Sequence, residues 1–183
     1  MKRTVLFIHS AGPQGPKHGS SNFITYLKKE LSDNYQVIHP NMPEPVNPKY
    51  LPWKEQLDKE FSKLTGEVIL VGHSLGGSVL IKYLAEETFN FKLSGLFVIA
   101  APFWGYDKNW QLKDFILQSN FEQHLHAIPH LFLYHSRDEK IVPFSHHVAY
   151  VEKLPQSIIR ELEGEQHLFH HGLPTLIQDI RNL

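Results

Sequence analysis

The sequence predicts an α/β protein of three layers, a doubly wound, six-stranded, mostly parallel sheet with helices on both faces. Three observations predict it. Short apolar runs rich in Val, Ile, Leu and Phe recur along the 183 residues. Amphipathic stretches with helical spacing separate those runs. The middle runs are apolar without alternation, as suits strands buried on both faces of a parallel sheet. Alternation of strand and helix then implies right-handed crossovers.

The strands are expected at TVLFIH (4–9), YQVIHP (35–40), EVILVG (67–72), GLFVIAA (95–101), HLFLYH (130–135) and SIIREL (157–162). Phe23, Leu27 and Leu31 share one face of a helix over 20–32, with Ser20 or Ser21 as its N-cap. Leu57, Phe61 and Leu64 mark a helix after Pro52. Leu75, Val79, Leu80 and Leu84 stripe a third, Val148, Val151 and Leu154 a later one, and Leu173, Leu176, Ile177 and Ile180 the last. The irregular stretch 102–129 should hold one or two short helices. It follows a strand, which places it over the carboxyl edge of the sheet, where open α/β folds bind ligands. No repeat, low-complexity tract or linker interrupts the pattern, so 1–183 reads as a single domain able to bury one sizeable core.

Composition excludes several functions. Hydrophobic residues make up 42% and charged residues 20%, with a formal net charge of −1. Nothing there suggests a nucleic-acid or anionic-membrane surface. The chain has no cysteine, so disulfides, a thiolate nucleophile and cysteine-ligated zinc are all ruled out. The opening MKRTVLFIHSAG holds an apolar run of about five residues, too short for a signal-peptide core or a membrane span. A cytoplasmic location is the expectation.

The chemistry is carried by VGHSLGGS, residues 71–78. Gly72-His73-Ser74-Leu75-Gly76 fits G-x-S-x-G, with an apolar strand before it and an amphipathic helix after it. A serine on such a sharp strand-to-helix turn is lifted above the sheet, at the positive end of the following helix. Its hydroxyl needs a base, and the base an orienting acid. In this arrangement the chain order is serine, acid, histidine. SRDEKIVPF (136–144) puts Asp138 and Glu139 just past the fifth strand, and GEQHLF puts His167 just past the sixth. The acid expected is Asp138, with Glu139 as the alternative.

Two backbone N–H groups should hold the oxyanion. One is that of Leu75, directly after the nucleophile. The other comes from the loop His9-Ser10-Ala11-Gly12, at Ala11 or Ser10, with Ala11 preferred. That loop fails the phosphate-binding spacing G-x-x-x-x-G-K-[ST], and Pro13 and Pro16 remove donors such a cradle needs.

With these residues in place the chain resembles the α/β hydrolases. More narrowly, it is similar to the small serine hydrolases grouped with retinoblastoma-binding protein 9. The likeness runs over nearly the whole length. It rests on the glycine-bearing first loop, HG followed by YLKKEL (18–31), NMPEP (41–45), the elbow GHSLGG, the acid loop SRDEKIVPF and the segment QHLF. The resemblance implies Ser74 as nucleophile, Asp138 as acid and His167 as base, in a compact enzyme without a large lid. Two departures stand out: Ser10 replaces a glycine in the first loop, and Glu165-Gln166 precede the base where glycine is common.

Trp104 and Phe103, directly after the fourth strand, are candidate pocket walls for an apolar acyl group. Trp53 and Trp110 read as packing, and His18, His124, His126, His146 and His147 as solvated. His167 and His171 have the spacing of H-E-x-x-H, but Leu168 stands where that motif has its glutamate, so no metal site is expected. The chain thus reads as a cofactor-free serine hydrolase. It should cleave carboxylic esters or related acyl substrates, with activity rising through a histidine titration at roughly pH 6–7. A small acyl substrate is the expected partner, and no nucleic acid, membrane or particular protein partner is indicated. Two rivals share the scaffold: an amidase or thioesterase with the same triad, and a non-catalytic protein-interaction module.

Overall fold

The computed structural model describes residues 2–183. Its strands are β1 (Arg3–Ile8), β2 (Tyr35–Ile38), β3 (Glu67–His73), β4 (Lys92–Ile99), β5 (Leu131–Ser136) and β6 (Ile158–Leu162). They form one sheet in the order β2-β1-β3-β4-β5-β6. Every neighbouring pair is parallel, so the sheet is wholly rather than mostly parallel. The helices are α1 (Ser21–Glu30), α2 (Tyr50–Phe61), α3 (Leu75–Glu86), α4 (Phe121–His124), α5 (Phe144–Lys153) and α6 (Pro174–Arg181).

Strand side chains alternate between two apolar layers. Val5, Phe7, Ile69 and Val71 meet Phe23 and Leu27 of α1 and Leu176, Ile177 and Ile180 of α6. Leu6, Ile8, Val68 and Leu70 meet Trp53 and Leu57 of α2, Val79 and Leu80 of α3, Phe121 of α4 and Tyr150 of α5. With strands covered on both sides, polar alternation disappears from the central runs. Tyr134 and Arg160 both bond the Asp179 carboxylate and so pin α6 to β5 and β6.

Four local features depart from the sequence pattern. β2 stops at Ile38, two residues before Pro40, which has no N–H for the ladder. α2 begins at Tyr50, ahead of Pro52, because a first-turn proline gives up an N–H that has no intrahelical partner anyway. Ser20 occupies the N-cap position of α1, but its hydroxyl makes no cap bond and turns to His73 instead. In α5, Val148 is exposed while His146, His147, Ala149 and Tyr150 are buried. Both histidines therefore face the core, contrary to the solvated reading.

Segment 102–130 carries a 3₁₀ turn (Lys113–Phe115) and α4, and buries Phe115, Phe121 and Leu125. Lys82 of α3 fastens it by donating to the Ile116 carbonyl at 2.8 Å while pairing with Glu86 at 2.6 Å. No helix among the described residues is long and apolar enough to cross a membrane.

Candidate active site

The parallel registers bring the carboxyl ends of the strands to one edge. Ile8 lies beside Gly72, His73 beside Ile99, Ile99 beside Tyr134 and Ser136 beside Leu162. The chain reverses winding direction between β1 and β3, so their two loops bound the crevice where such sheets bind ligands.

Ser74 stands on the turn between β3 and α3 with φ 53° and ψ −123°, a strained conformation for a residue with a side chain. Its N–H donates to the Ile99 carbonyl at 2.8 Å. The turn needs glycines because backbone crosses backbone. A Cβ on Gly72 would lie 2.6 Å from the Gly77 Cα, and one on Gly76 would lie 2.3 Å from the Ile8 carbonyl oxygen.

Two amides beside Ser74 are available. Leu75 is the first residue of α3, where an N–H has no intrahelical partner. In the first loop, the Ser10 N–H donates to Ser20 Oγ at 3.0 Å, which leaves the Ala11 N–H for a ligand. NMPEP braces this loop. The Gly12 N–H donates to the Pro45 carbonyl at 2.7 Å, Met42 N–H to Gln14 Oε1 at 2.8 Å, and the buried Trp53 indole to the Pro43 carbonyl at 2.8 Å.

His167 is buried in the loop after β6, while His170 and His171 are exposed. Its Nδ1 lies 2.6 Å from Glu139 Oε2. The other Glu139 oxygen accepts the N–H groups of Ile141 at 2.6 Å and Val142 at 3.2 Å. Burial works to raise the Glu139 carboxyl. The bond to His167, its charge and the two amides outweigh that and hold the group below the usual carboxylate range. The carboxylate that reaches His167 is thus Glu139, and the choice of Asp138 is corrected. Asp138 Oδ1 instead accepts from the Ser136 hydroxyl, the Gly164 N–H at 3.1 Å and the Gln166 N–H at 3.5 Å. The Ser136 hydroxyl first, then these amides, hold the Asp138 carboxyl low as well. Asp138 thus clamps the loop that precedes His167.

Ser74, His167, Leu75 and Ala11 all line one cavity of about 270 Å³, walled by Pro102, Trp104, Trp110, Ile141 and Leu168. Trp104 is where the sequence places it, and Trp110, read as packing, joins it at 5.1 Å between ring centroids. Phe103 is not among the lining residues. Its ring packs on Tyr150 at 4.7 Å and on Phe121 at 6.0 Å, so its reading as a pocket wall is corrected. Ser74 and His167 share the cavity without a direct hydrogen bond between them, as is common before substrate draws such groups together.

Sequence reasoning missed His73 and His146. His73 is fully buried beside Ser74 in the chain, and its Nε2 lies 2.7 Å from the His167 carbonyl oxygen. His146 accepts the Phe103 N–H at Nδ1 over 3.0 Å and so fixes the start of the 102–130 segment. Only the first variable position of G-x-S-x-G marked His73, and no local signal marked His146.

Known proteins resemble this chain over most of its length. The pattern of the serine hydrolase family matches residues 5–172. YdeN of Bacillus subtilis (strain 168) is 25% identical over 182 residues, covering 96% of this chain and 92% of YdeN. The crystal structure of the B. subtilis ydeN gene product superposes with a TM-score of 0.81 at 22% identity, over 100% of this chain and 98% of that one. A serine hydrolase involved in carbazole degradation, the CarC enzyme, gives 0.75 at 12% identity over 98% and 90%. Est1E from Butyrivibrio proteoclasticus gives 0.69 at 13% identity over 99% and 86%.

Proposed function

From a chain that belongs to the serine hydrolase family and has the α/β hydrolase fold, we propose an esterase that works by acyl transfer through Ser74, His167 and Glu139. The observation that carries this reading is the 2.6 Å contact between Glu139 and His167 Nδ1, in a cavity that also holds Ser74 and two unengaged amides.

A buried, ionised Glu139 keeps the proton of neutral His167 on Nδ1 and leaves Nε2 bare as the base. Ser74 Oγ attacks the ester carbonyl while its proton passes to Nε2. The oxyanion forms against the Leu75 and Ala11 N–H groups, where fixed donors need no reorganisation. His167 then returns the proton to the departing alkoxide. Water repeats the sequence on the acyl-enzyme, with His167 again as base, and frees the acid. The apolar walls Trp104, Trp110, Ile141 and Leu168 suit an uncharged acyl group. Within the family we place the chain with the small hydrolases of the retinoblastoma-binding protein 9 type, on its NMPEP brace and its modest 102–130 segment.

A fluorophosphonate probe should modify wild-type protein at Ser74 and leave Ser74→Ala unmodified. Absence of wild-type labelling would favour an interaction module over an enzyme. With p-nitrophenyl esters of increasing chain length, His167→Ala should lose turnover while His170→Ala and His171→Ala keep it. Faster turnover of matched amides or thioesters than of esters would reassign the substrate class.

A further inference from the structure

His73 sits beside the nucleophile, takes no part in the proton transfers above, and touches both loops that those transfers need. We propose that His73 is a positioning residue, a neutral buried imidazole that ties the base loop to the loop carrying the Ala11 amide. This role presupposes the Ser74–His167–Glu139 reading.

The direction of every bond in the tether is determined. A carbonyl oxygen only accepts, so the 2.7 Å contact with the His167 carbonyl places the His73 proton on Nε2. Complete burial, and next the charge of His167, hold the His73 pKa well below its ordinary value, so the ring is neutral and Nδ1 is a bare acceptor. Ser20 Oγ lies 2.8 Å from that Nδ1 and must give it its one proton. Ser20 Oγ therefore accepts from the Ser10 N–H at 3.0 Å, with the Ser10 hydroxyl oxygen 3.1 Å away. The chain of bonds runs Ser10, Ser20, His73, His167 main chain.

Both ends of this tether need holding. The base loop contains two non-glycine residues in the left-handed region, Gln166 at φ 54° and Phe169 at φ 49°. A loop so strained relaxes unless its surroundings fix it. Asp138 grips its start through Gly164 and Gln166. His73 grips its centre, and Phe169 packs beneath, stacked on Phe23 at 5.3 Å and edge-on to His73 at 5.8 Å. The His167 ring is thus aimed from two sides, by Glu139 through Nδ1 and by His73 through its own carbonyl. At the other end, engaging the Ser10 N–H turns the loop so that Ala11 is the amide left for the oxyanion. A neutral ring matters here too. The His73 and His167 ring centroids are 5.0 Å apart, and His9 is the other titratable group acting on His73, so a charge on His73 would oppose the imidazolium that forms on the base.

The test separates the two nitrogens. Asn at 73 reproduces the position of Nδ1 and loses the carbonyl tie; Gln reaches the position of Nε2 and keeps it. Turnover of a p-nitrophenyl ester is measured per active site titrated with fluorophosphonate, so that unfolded protein does not count. His73→Asn should lower kcat about tenfold or more, with KM changed less than about twofold, as misplacement of a catalytic group does. It should also displace the acid limb of the kcat pH profile, which reports the His167–Glu139 pair. His73→Gln should restore most of the rate, and Ser20→Ala should lie between. If His73→Asn does not fold, Ser20→Ala carries the test alone, and an unchanged kcat and pH profile in it overturns the tether. Unchanged kcat and pH profile in both His73→Asn and Ser20→Ala, with wild type labelled and active, would overturn the tether and leave the triad standing. A wild type that neither labels nor turns over would remove the triad and the tether together.

Discussion

At the residue scale, two adjacent carboxylates divide the work that one was expected to do. Asp138 and Glu139 follow the same strand and satisfy the same chain order, so position along the sequence cannot separate them. Their directions do. The Asp138 side chain turns back onto Ser136 and the 164–166 amides, while that of Glu139 is buried and meets His167. Glu139→Gln should therefore lower kcat for a p-nitrophenyl ester by about 10³–10⁴, because an amide no longer secures the imidazole tautomer. Asp138→Asn should stay within about tenfold of wild type, since it removes a loop contact rather than the partner of the base. Equal losses in the two variants would contradict this division.

At the element scale, the strand-to-helix elbow is shaped by close main-chain crossings and the 163–172 loop is held by side chains. The elbow admits no Cβ at Gly76 because the obstacle is the Ile8 carbonyl, a main-chain atom at the carboxyl end of the interior strand β1. Gly76→Ala should cost about 2 kcal/mol or more of stability through forced displacement. Thermal unfolding should then start several degrees lower, about 2–4 °C per kcal/mol for a chain of this size, and labelling of Ser74 should slow as well. A Gly76→Ala protein with wild-type Tm and labelling rate would show that β1 yields easily. The register of α5 makes a related point. Its apolar residues suggested a face through Val148, whereas the buried face runs through His146, His147 and Tyr150.

For the whole molecule, buried histidines make stability depend on pH. His9, His73, His135, His146 and His147 all have pKa values lowered by burial first of all. His147 is pushed down to about 4, and its Nε2 has no hydrogen-bond partner among the described residues. A histidine whose folded pKa is depressed binds fewer protons folded than unfolded once the pH falls below about 6.5. Stability is therefore full above that value and declines towards the folded pKa. Between pH 7 and pH 5 the His147 contribution alone should fall by up to about 2 kcal/mol. Urea unfolding at the two pH values measures it, and His147→Leu should flatten the difference. An equal pH dependence in the variant would assign the effect to the other histidines.

The sequence by itself determined the fold and the chain order of serine, acid and histidine on which the proposed chemistry rests. Apolar runs without alternation require a sheet covered on both faces, and G-x-S-x-G between a strand and a helix admits one sharp turn, so the α/β sheet, Ser74 and His167 were legible from local pattern. The tertiary structure alone decided which carboxylate serves the histidine, which first-loop amide stays open, and which aromatics wall the cavity. Those choices depend on side-chain direction and on contacts across long stretches of chain: Glu139 with His167, Ser10 with Ser20, Phe103 with Tyr150. Periodicity records which residues are buried. It does not record what a buried polar group bonds to, and at this site the proposed roles rest on those bonds.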